Sequence, residues 1–208
     1  MNSQDRLTMP IGEAMFTQRA IRRLRSDPIG IEDIRVFMDA AAKAPNGGNM
    51  QPARFVVVND PQVIGELGKL YHEAWWAKRR QFQGWEKPED IPPEEKTYQS
   101  AMRLADEIKD APLIVLPCAP KGTPQNSVIP AVQNLLLAAR ALGIGSCLTT
   151  LHPQVDERVH ALLKIPADVE VMCCIPMGYP RGNFGPTNRL PTSQTTYLNA
   201  WGDAPPWD

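Results

Sequence analysis

The stretch KAPNGGNMQPARFVVV, Lys43 to Val58, decides how this chain is read. A helical run reaches it from Ile31, with Ile34, Phe37, Met38 and Ala41 recurring at helical spacing. The run stops before Pro45, because the residue preceding a proline is pushed out of the helical region. A continuous apolar run, Arg54 to Val58, leaves it as a strand, and its unbroken character predicts burial. Between the two lie Asn46, Gly47, Gly48, Asn49 and Gln51. Asn and Gly are ordinary in a helix-to-strand turn. The same residues suit a cradle for a flat polar ligand, since glycine admits close backbone approach and amide side chains both donate and accept. The segment by itself leaves both readings open.

Working outward, Pro61 opens a helix that runs to about Phe82. The segment QGWEKPEDIPPEEK, Gln83 to Lys96, breaks regularity with its prolines, and Trp75, Trp76, Phe82 and Trp85 cluster at its start. A further helix follows over about Glu94–Lys109, then a second buried strand over Pro112–Cys118. Asn126 and Ser127 read as caps of a strongly apolar helix through Leu142, which Gly143 and Gly145 end. SCLTTL from Ser146 is a third strand or strand edge. Gln154 to Leu163 is a short helix, and VEVMCCIPMGYP from Val169 is a fourth strand. Two consecutive helices between the first and second strands do not suit a simple doubly wound sheet, so the pattern points to a layered α+β domain. Past Arg181 the chain is rich in Pro, Gly, Asn and Thr. Its Tyr197, Leu198, Trp201 and Trp207 are too apolar for a free tail, and a partner subunit is the expected cover.

Bulk properties narrow the chemistry. The chain has 208 residues, 43% hydrophobic and 22% charged, with a formal net charge of −1. That length supports one domain spanning residues 1–208 with a real core. The balanced charge offers no broad positive field, so nucleic acid is not an expected partner and any anion site must be built locally. No stretch approaches the ~20 consecutive apolar residues of a membrane span. The first residues lack the apolar run of a signal peptide, and a cytoplasmic location is the expectation. Cys118, Cys147, Cys173 and Cys174 sit in strand-like apolar contexts and read as buried free thiols. His72, His152 and His160 form no ligand pattern, so no metal site is expected.

Three segments besides the opening loop can carry chemistry. QRAIRRLR places Arg19, Arg22, Arg23 and Arg25 within seven residues. It is either a solvated basic face or a phosphate clamp, because a guanidinium fork matches phosphate oxygens. GIGSCLTTLHP, Gly143 to Pro153, carries hydroxyls but lacks the third glycine and strand-first order of a dinucleotide fingerprint. GYPRGNFGPTNRLP, Gly178 to Pro191, embeds Arg181 and Arg189 in a Gly/Pro-rich loop. No nucleophile–base pair or carboxylate pair stands out, so a cofactor is expected to supply the chemistry.

In order, RAIR after Gln18, APNGGNMQPA before RFVVV, IKDAPLIVLPC, VQNLLLAARALGIGSC, CIPMGYP and the tail RLPTSQTTYLNAWG resemble the nitroreductase family of flavoproteins over nearly the whole chain. The resemblance implies a layered α+β fold with a central mixed sheet flanked by helices. It implies an intertwined homodimer, with residues 181–208 as an arm reaching the partner. Residues 75–97 would be a variable helical or lid excursion, and Trp75, Trp76, Phe82 and Trp85 either line the acceptor pocket by stacking or belong to a helix–helix core. It also implies FMN at the dimer interface and ping-pong hydride transfer from NADH or NADPH to a nitroaromatic, quinone or similar electron-poor acceptor. On this likeness Gln18, Arg19, Ala20, Ile21 and Arg22 meet the FMN phosphate and ribityl chain, with Arg189 as a second phosphate ligand. Asn46, Gly47, Asn49 and Gln51 meet the ribityl chain and ring, partly from the other subunit. Thr149, Thr150 and Leu151 lie along the ring.

This chain departs from the family pattern in three places. Gln18 stands where arginine is usual, Ala20 where serine is usual, and Ala53 where tryptophan is common. LTTLHP is similar to the corresponding stretch of the iodotyrosine deiodinase branch, although that branch's Glu, Tyr and Lys lid residues have no match here. Reductive dehalogenation or another specialised flavin reaction is therefore the alternative activity, with a non-enzymatic flavin-binding protein behind it.

Overall fold

The computed structural model describes residues 2–150 and 152–207. Strand β2 (Leu113–Pro120) is the axis of the sheet, because its apolar run feeds both faces. Ile114, Leu116 and Cys118 join one core cluster, and Leu113 and Val115 the other. Strand β1 (Arg54–Val58) pairs antiparallel along one side of β2, with Val56 opposite Leu116. Strands β4 (Val169–Val171) and β5 (Ile175–Gly178) share the other side, and β3 (Gly145–Ser146) pairs with β5. The order is β1–β2–β5–β3, with β4 on β2.

Helices α4 (Pro61–Gln83), α5 (Lys96–Glu107) and α7 (Asp156–Leu163) supply the first core cluster. Helices α3 (Ile31–Ala42) and α6 (Ile129–Ala141) supply the second, on the opposite face. Two short helices, α1 (Ser3–Arg6) and α2 (Ile11–Thr17), pack on α3 and α6 respectively. The layered α+β expectation is thus met. Helix α6 is apolar nearly all round, with Val132, Leu135 and Ala139 fully enclosed, which is what a helix between a sheet and a second helix layer requires. Asp60 caps α4, its carboxylate accepting the Gln62 and Val63 N–H groups at 2.8 and 3.2 Å. Gly143, at φ +73°, ends α6 in the left-handed conformation.

Four expectations change. The pairings between strands are all antiparallel, and the parallel component of the mixed sheet is one bridge from Ala20 to Ser146. Strand β1 lies at the sheet edge, so Val58 is its one buried residue. The fourth strand divides into β4 and β5. Pro117 accepts the Met172 N–H at 2.8 Å but has no N–H to return, so the ladder is interrupted opposite it. Finally, Asn126 and Ser127 do not cap α6, whose N-cap is Val128. The Ser127 hydroxyl instead accepts the Gly47 N–H at 3.1 Å.

Candidate functional site

Two arginine-bearing segments converge on β3. The segment Gln18–Arg22 leaves α2 in extended form, and the Ile21 N–H donates to the Ser146 carbonyl at 2.9 Å. The approach requires a glycine on the facing strand: a Cβ at Gly145 would stand 2.7 Å from Ile21. The loop after β5 then runs back along the same segment. The Arg25 N–H donates to the Tyr179 carbonyl at 2.8 Å and the Arg181 N–H to the Arg23 carbonyl at 3.0 Å. Farther on, the Thr187 N–H reaches the Phe16 carbonyl at 3.4 Å. The Arg19 guanidinium lies within 3.7 Å of the position a Cβ on Gly185 would take.

Charge at this edge is unbalanced. Arg19, Arg23 and Arg189 are exposed and Arg22 is half-buried. Among the described residues none of the four has a carboxylate at salt-bridge distance. Arg25, Arg140 and Arg181 are by contrast paired with Asp27, Glu13 and Glu107. Arg189 contributes one hydrogen bond, to the Asn188 carbonyl at 2.8 Å. Arg22 lies over buried polar groups. Burial pushes the Cys147 thiol up, and the Arg22 guanidinium beside it pulls the other way. Burial also drives the Tyr71 phenol far above its ordinary range, against the pull of its hydrogen bond with Thr149. Thr149 is buried, and its hydroxyl donates inward to the Cys174 carbonyl at 3.2 Å. Thr150 is exposed. Leu151 lies outside the described residues.

The loop of the opening stretch forms a second group. The Asn46 carboxamide oxygen accepts the Gln51 N–H at 2.8 Å, and the Arg54 guanidinium donates to the carbonyls of Gln51 and Ala53 at 2.8 and 2.9 Å. The Gln51 amide donates to the Asn49 carbonyl at 3.4 Å. Asn49 and Gln51 both adopt positive φ, at 54° and 49°, beside Gly48 at 57°. Non-glycine residues in that region cost on the order of 1–3 kcal/mol each and gather at ligand clamps. Asn46, Gln51, Ser127, Phe55 and Met38 border a cavity of about 280 Å³.

The two groups lie at opposite ends of α6. Ser127 at its start touches the loop, while Arg140 in its last turn touches α2. At 1.5 Å per residue the separation is roughly 20 Å. The structure therefore brings Gln18–Arg22 together with the Arg189 loop and Thr149, and keeps Asn46–Gln51 apart from them within one chain.

Of the four aromatic residues singled out from the sequence, Trp75 and Trp76 are buried and pack edge to face at 4.8 Å. Trp85 stands edge-on to Tyr98 at 5.1 Å. Phe82 is 64% exposed and is the open member of the set. Tyr71 and Arg140 were not anticipated. A lone arginine in the apolar run NLLLAARAL was the available signal for Arg140, since a charge on a helix that is otherwise apolar all round needs a partner. Nothing in the sequence marked Tyr71.

The nitroreductase family model matches residues 16–179. The chain is 30% identical over 185 residues to the 5,6-dimethylbenzimidazole synthase of Rhodospirillum rubrum, covering 81% of this chain and 82% of that protein. It is 28% identical over 218 residues to the NADH dehydrogenase of Thermus thermophilus, covering 88% of this chain and 95% of that protein. An iodotyrosine deiodinase solved with FMN and 3-iodo-L-tyrosine superposes with a TM-score of 0.68 at 25% identity, over 88% of this chain and 94% of that one. With the family's pattern spanning the arginine segment, β3 and the sheet that carries them, the chain belongs to the nitroreductase family.

Proposed function

We propose that this protein is an FMN-dependent oxidoreductase that passes electrons from NADH or NADPH to a nitroaromatic, quinone or similar electron-poor acceptor. The observation that carries this reading is the set of guanidinium groups on the segment beside β3 and on the loop after β5 that have no carboxylate partner among the described residues, Arg19, Arg22, Arg23 and Arg189. In a chain of nearly neutral charge such a set calls for an anion, and FMN carries a phosphate. When bound, FMN supplies the redox chemistry, taking hydride from the nicotinamide and delivering electrons to the acceptor.

The chain's own groups bind and orient. Arg19 and Arg189 take the phosphate from two directions. Gln18, Ala20 and Ile21 present main chain along the ribityl tail, with Arg22 at the end nearer the ring. Thr149 and Thr150 shape the ring's edge, Thr149 by its position alone, because its hydroxyl, N–H and carbonyl are all bonded to Cys174. The strained loop Asn46–Gln51 is preorganised for ring contacts but stands ~20 Å from the arginines. A second copy of the chain would bring the two halves together, which supports a homodimer with each site shared between subunits. The excursion over residues 75–97 covers the acceptor side. Phe82 is its open ring, with Trp75, Trp76 and Trp85 holding that segment in place.

The test is the visible spectrum of the purified protein. A yellow protein that bleaches on adding NADH or NADPH and recolours with an acceptor supports the proposal. A colourless protein that FMN cannot reconstitute overturns it. Reductive dehalogenation is the second reading, favoured by the superposition on the deiodinase and by the stretch Leu148–Pro153. Halide release from a halogenated phenol, outpacing reduction of nitroaromatics, would select it.

A further inference from the structure

Arg140 is 9% exposed and contacts helix α2, which leads into Arg19, and the loop that leads to Arg189. Its Nε donates to the Thr17 hydroxyl at 2.8 Å, one residue before Gln18. Its Nη2 donates to the Glu13 carboxylate at 3.4 Å. The guanidinium carbon stands 4.2 Å from the centre of the Phe184 ring, at the start of the loop that leads to Arg189. Thr17 in turn donates to the Glu13 carbonyl at 2.6 Å, so the last turn of α2 is closed onto Arg140. One rigid helix thus holds both arms of the clamp through a single planar cation. The two segments are bonded to each other at their inner ends, Arg25 to Tyr179 at 2.8 Å and Arg181 to Arg23 at 3.0 Å, whereas near Arg19 and Arg189 the direct backbone bond is the longer one, Thr187 to Phe16 at 3.4 Å.

We propose that Arg140 is a positioning residue for phosphate recognition: it sets the spacing between Arg19 and Arg189 and neutralises Glu13, whose carboxylate would otherwise oppose an anion held nearby. Arg140 does not reach the ligand. A guanidinium suits the task where an ammonium does not, because it can hydrogen-bond in its plane while its face rests on an aromatic ring. The inference rests on the phosphate reading of the arginine cluster, and the test separates the two.

The experiment compares FMN with riboflavin, which lacks the phosphate, by quenching of flavin fluorescence on titration with FMN-stripped protein. Wild type is expected to bind FMN more tightly than riboflavin. Arg140→Met is expected to lose on the order of tenfold in FMN affinity, the size of one charge-assisted contact to the phosphate, with riboflavin affinity unchanged. Phe184→Ala removes only the ring beneath the cation and is expected to shift FMN affinity in the same direction by less. If wild type binds FMN no better than riboflavin, the phosphate reading falls and this inference with it. If wild type discriminates and Arg140→Met discriminates equally well, or loses both flavins equally, the inference alone falls. Should Arg140→Met fail to fold, Phe184→Ala and Thr17→Val carry the same comparison, and undiminished discrimination in both overturns the proposal.

Discussion

Arg22 is half-buried between solvent and a polar interior made of Cys147, Tyr71 and Thr149. Its charge is partly desolvated, so it gains more from an incoming anion than a freely solvated arginine does. Arg22→Ala is expected to weaken FMN binding by at least tenfold, read by fluorescence titration. The thiols at this scale make a separate prediction. Burial pushes Cys173 and Cys174 up to about 12 and Cys118 up to about 11, from an ordinary value of 9.0. They stay protonated, so they are poor nucleophiles. A colorimetric thiol reagent near pH 8 is expected to leave all three unreacted in the folded protein and to label them in guanidinium. The same shifts bear on stability. Below pH 9 folded and unfolded thiols are both protonated, and the shifts contribute nothing to the pH dependence. As pH rises from 9 toward about 12, the unfolded chain releases protons that the folded chain keeps, so unfolding becomes easier. Urea midpoints should fall across that alkaline window and not below it.

At the scale of elements, the contact between the arginine segment and β3 is set by backbone proximity. A methyl group at Gly145 would meet Ile21 at 2.7 Å, so Gly145→Ala must push the segment off the strand. An overpacked contact of this kind costs about 1–3 kcal/mol. The variant is expected to melt earlier and to bind FMN more weakly. Asp60→Ala is its control: loss of the α4 cap costs about 1 kcal/mol and should leave FMN affinity unchanged, because Asp60 touches only the start of α4. Comparable losses of stability with divergent losses of flavin affinity would locate the effect at the β3 contact. The Asn46–Gln51 loop is tied to the start of α6 by Ser127, whose hydroxyl holds the Gly47 N–H. Replacing it by alanine should speed amide exchange at Gly47 without unfolding α6, which does not use Ser127 as its cap.

The whole molecule exposes apolar residues that a lone chain would bury. Phe16 is 75% exposed, Met50 80% and Trp201 89%. Phe16 adjoins the arginine segment, and Met50 sits in the strained loop. Apolar surface is therefore left open beside the arginine segment, at the strained loop and on the C-terminal arm. Light scattering is expected to give a dimer. Under the proposal of a shared site, removing residues 191–208 should weaken association and lower FMN affinity as the protein is diluted. A monomer that binds FMN with full affinity at every concentration would overturn the shared site. Among the described residues no helix is long and apolar enough to cross a membrane.

What was legible in the sequence were features that depend on near neighbours. Pro45 and Pro61 bounded helices, the apolar run of β2 marked a central strand, and Gly143 ended α6 because only a left-handed residue closes that helix there. The arginine cluster and the Asn/Gly loop were visible as segments for the same reason. Other features were set by distant chain. The split of β4 from β5 was decided by the missing N–H of Pro117 on another strand. The exposure of β1 followed from its place at the sheet edge, and Ser127 serves Gly47 because the fold brings its hydroxyl there. The core position of Trp75 and Trp76 likewise depends on helices that pack from elsewhere in the chain. The sequence marked both segments of the proposed site. Only the tertiary structure put them at opposite ends of α6, since the length of one buried helix separates what the order of motifs leaves adjacent.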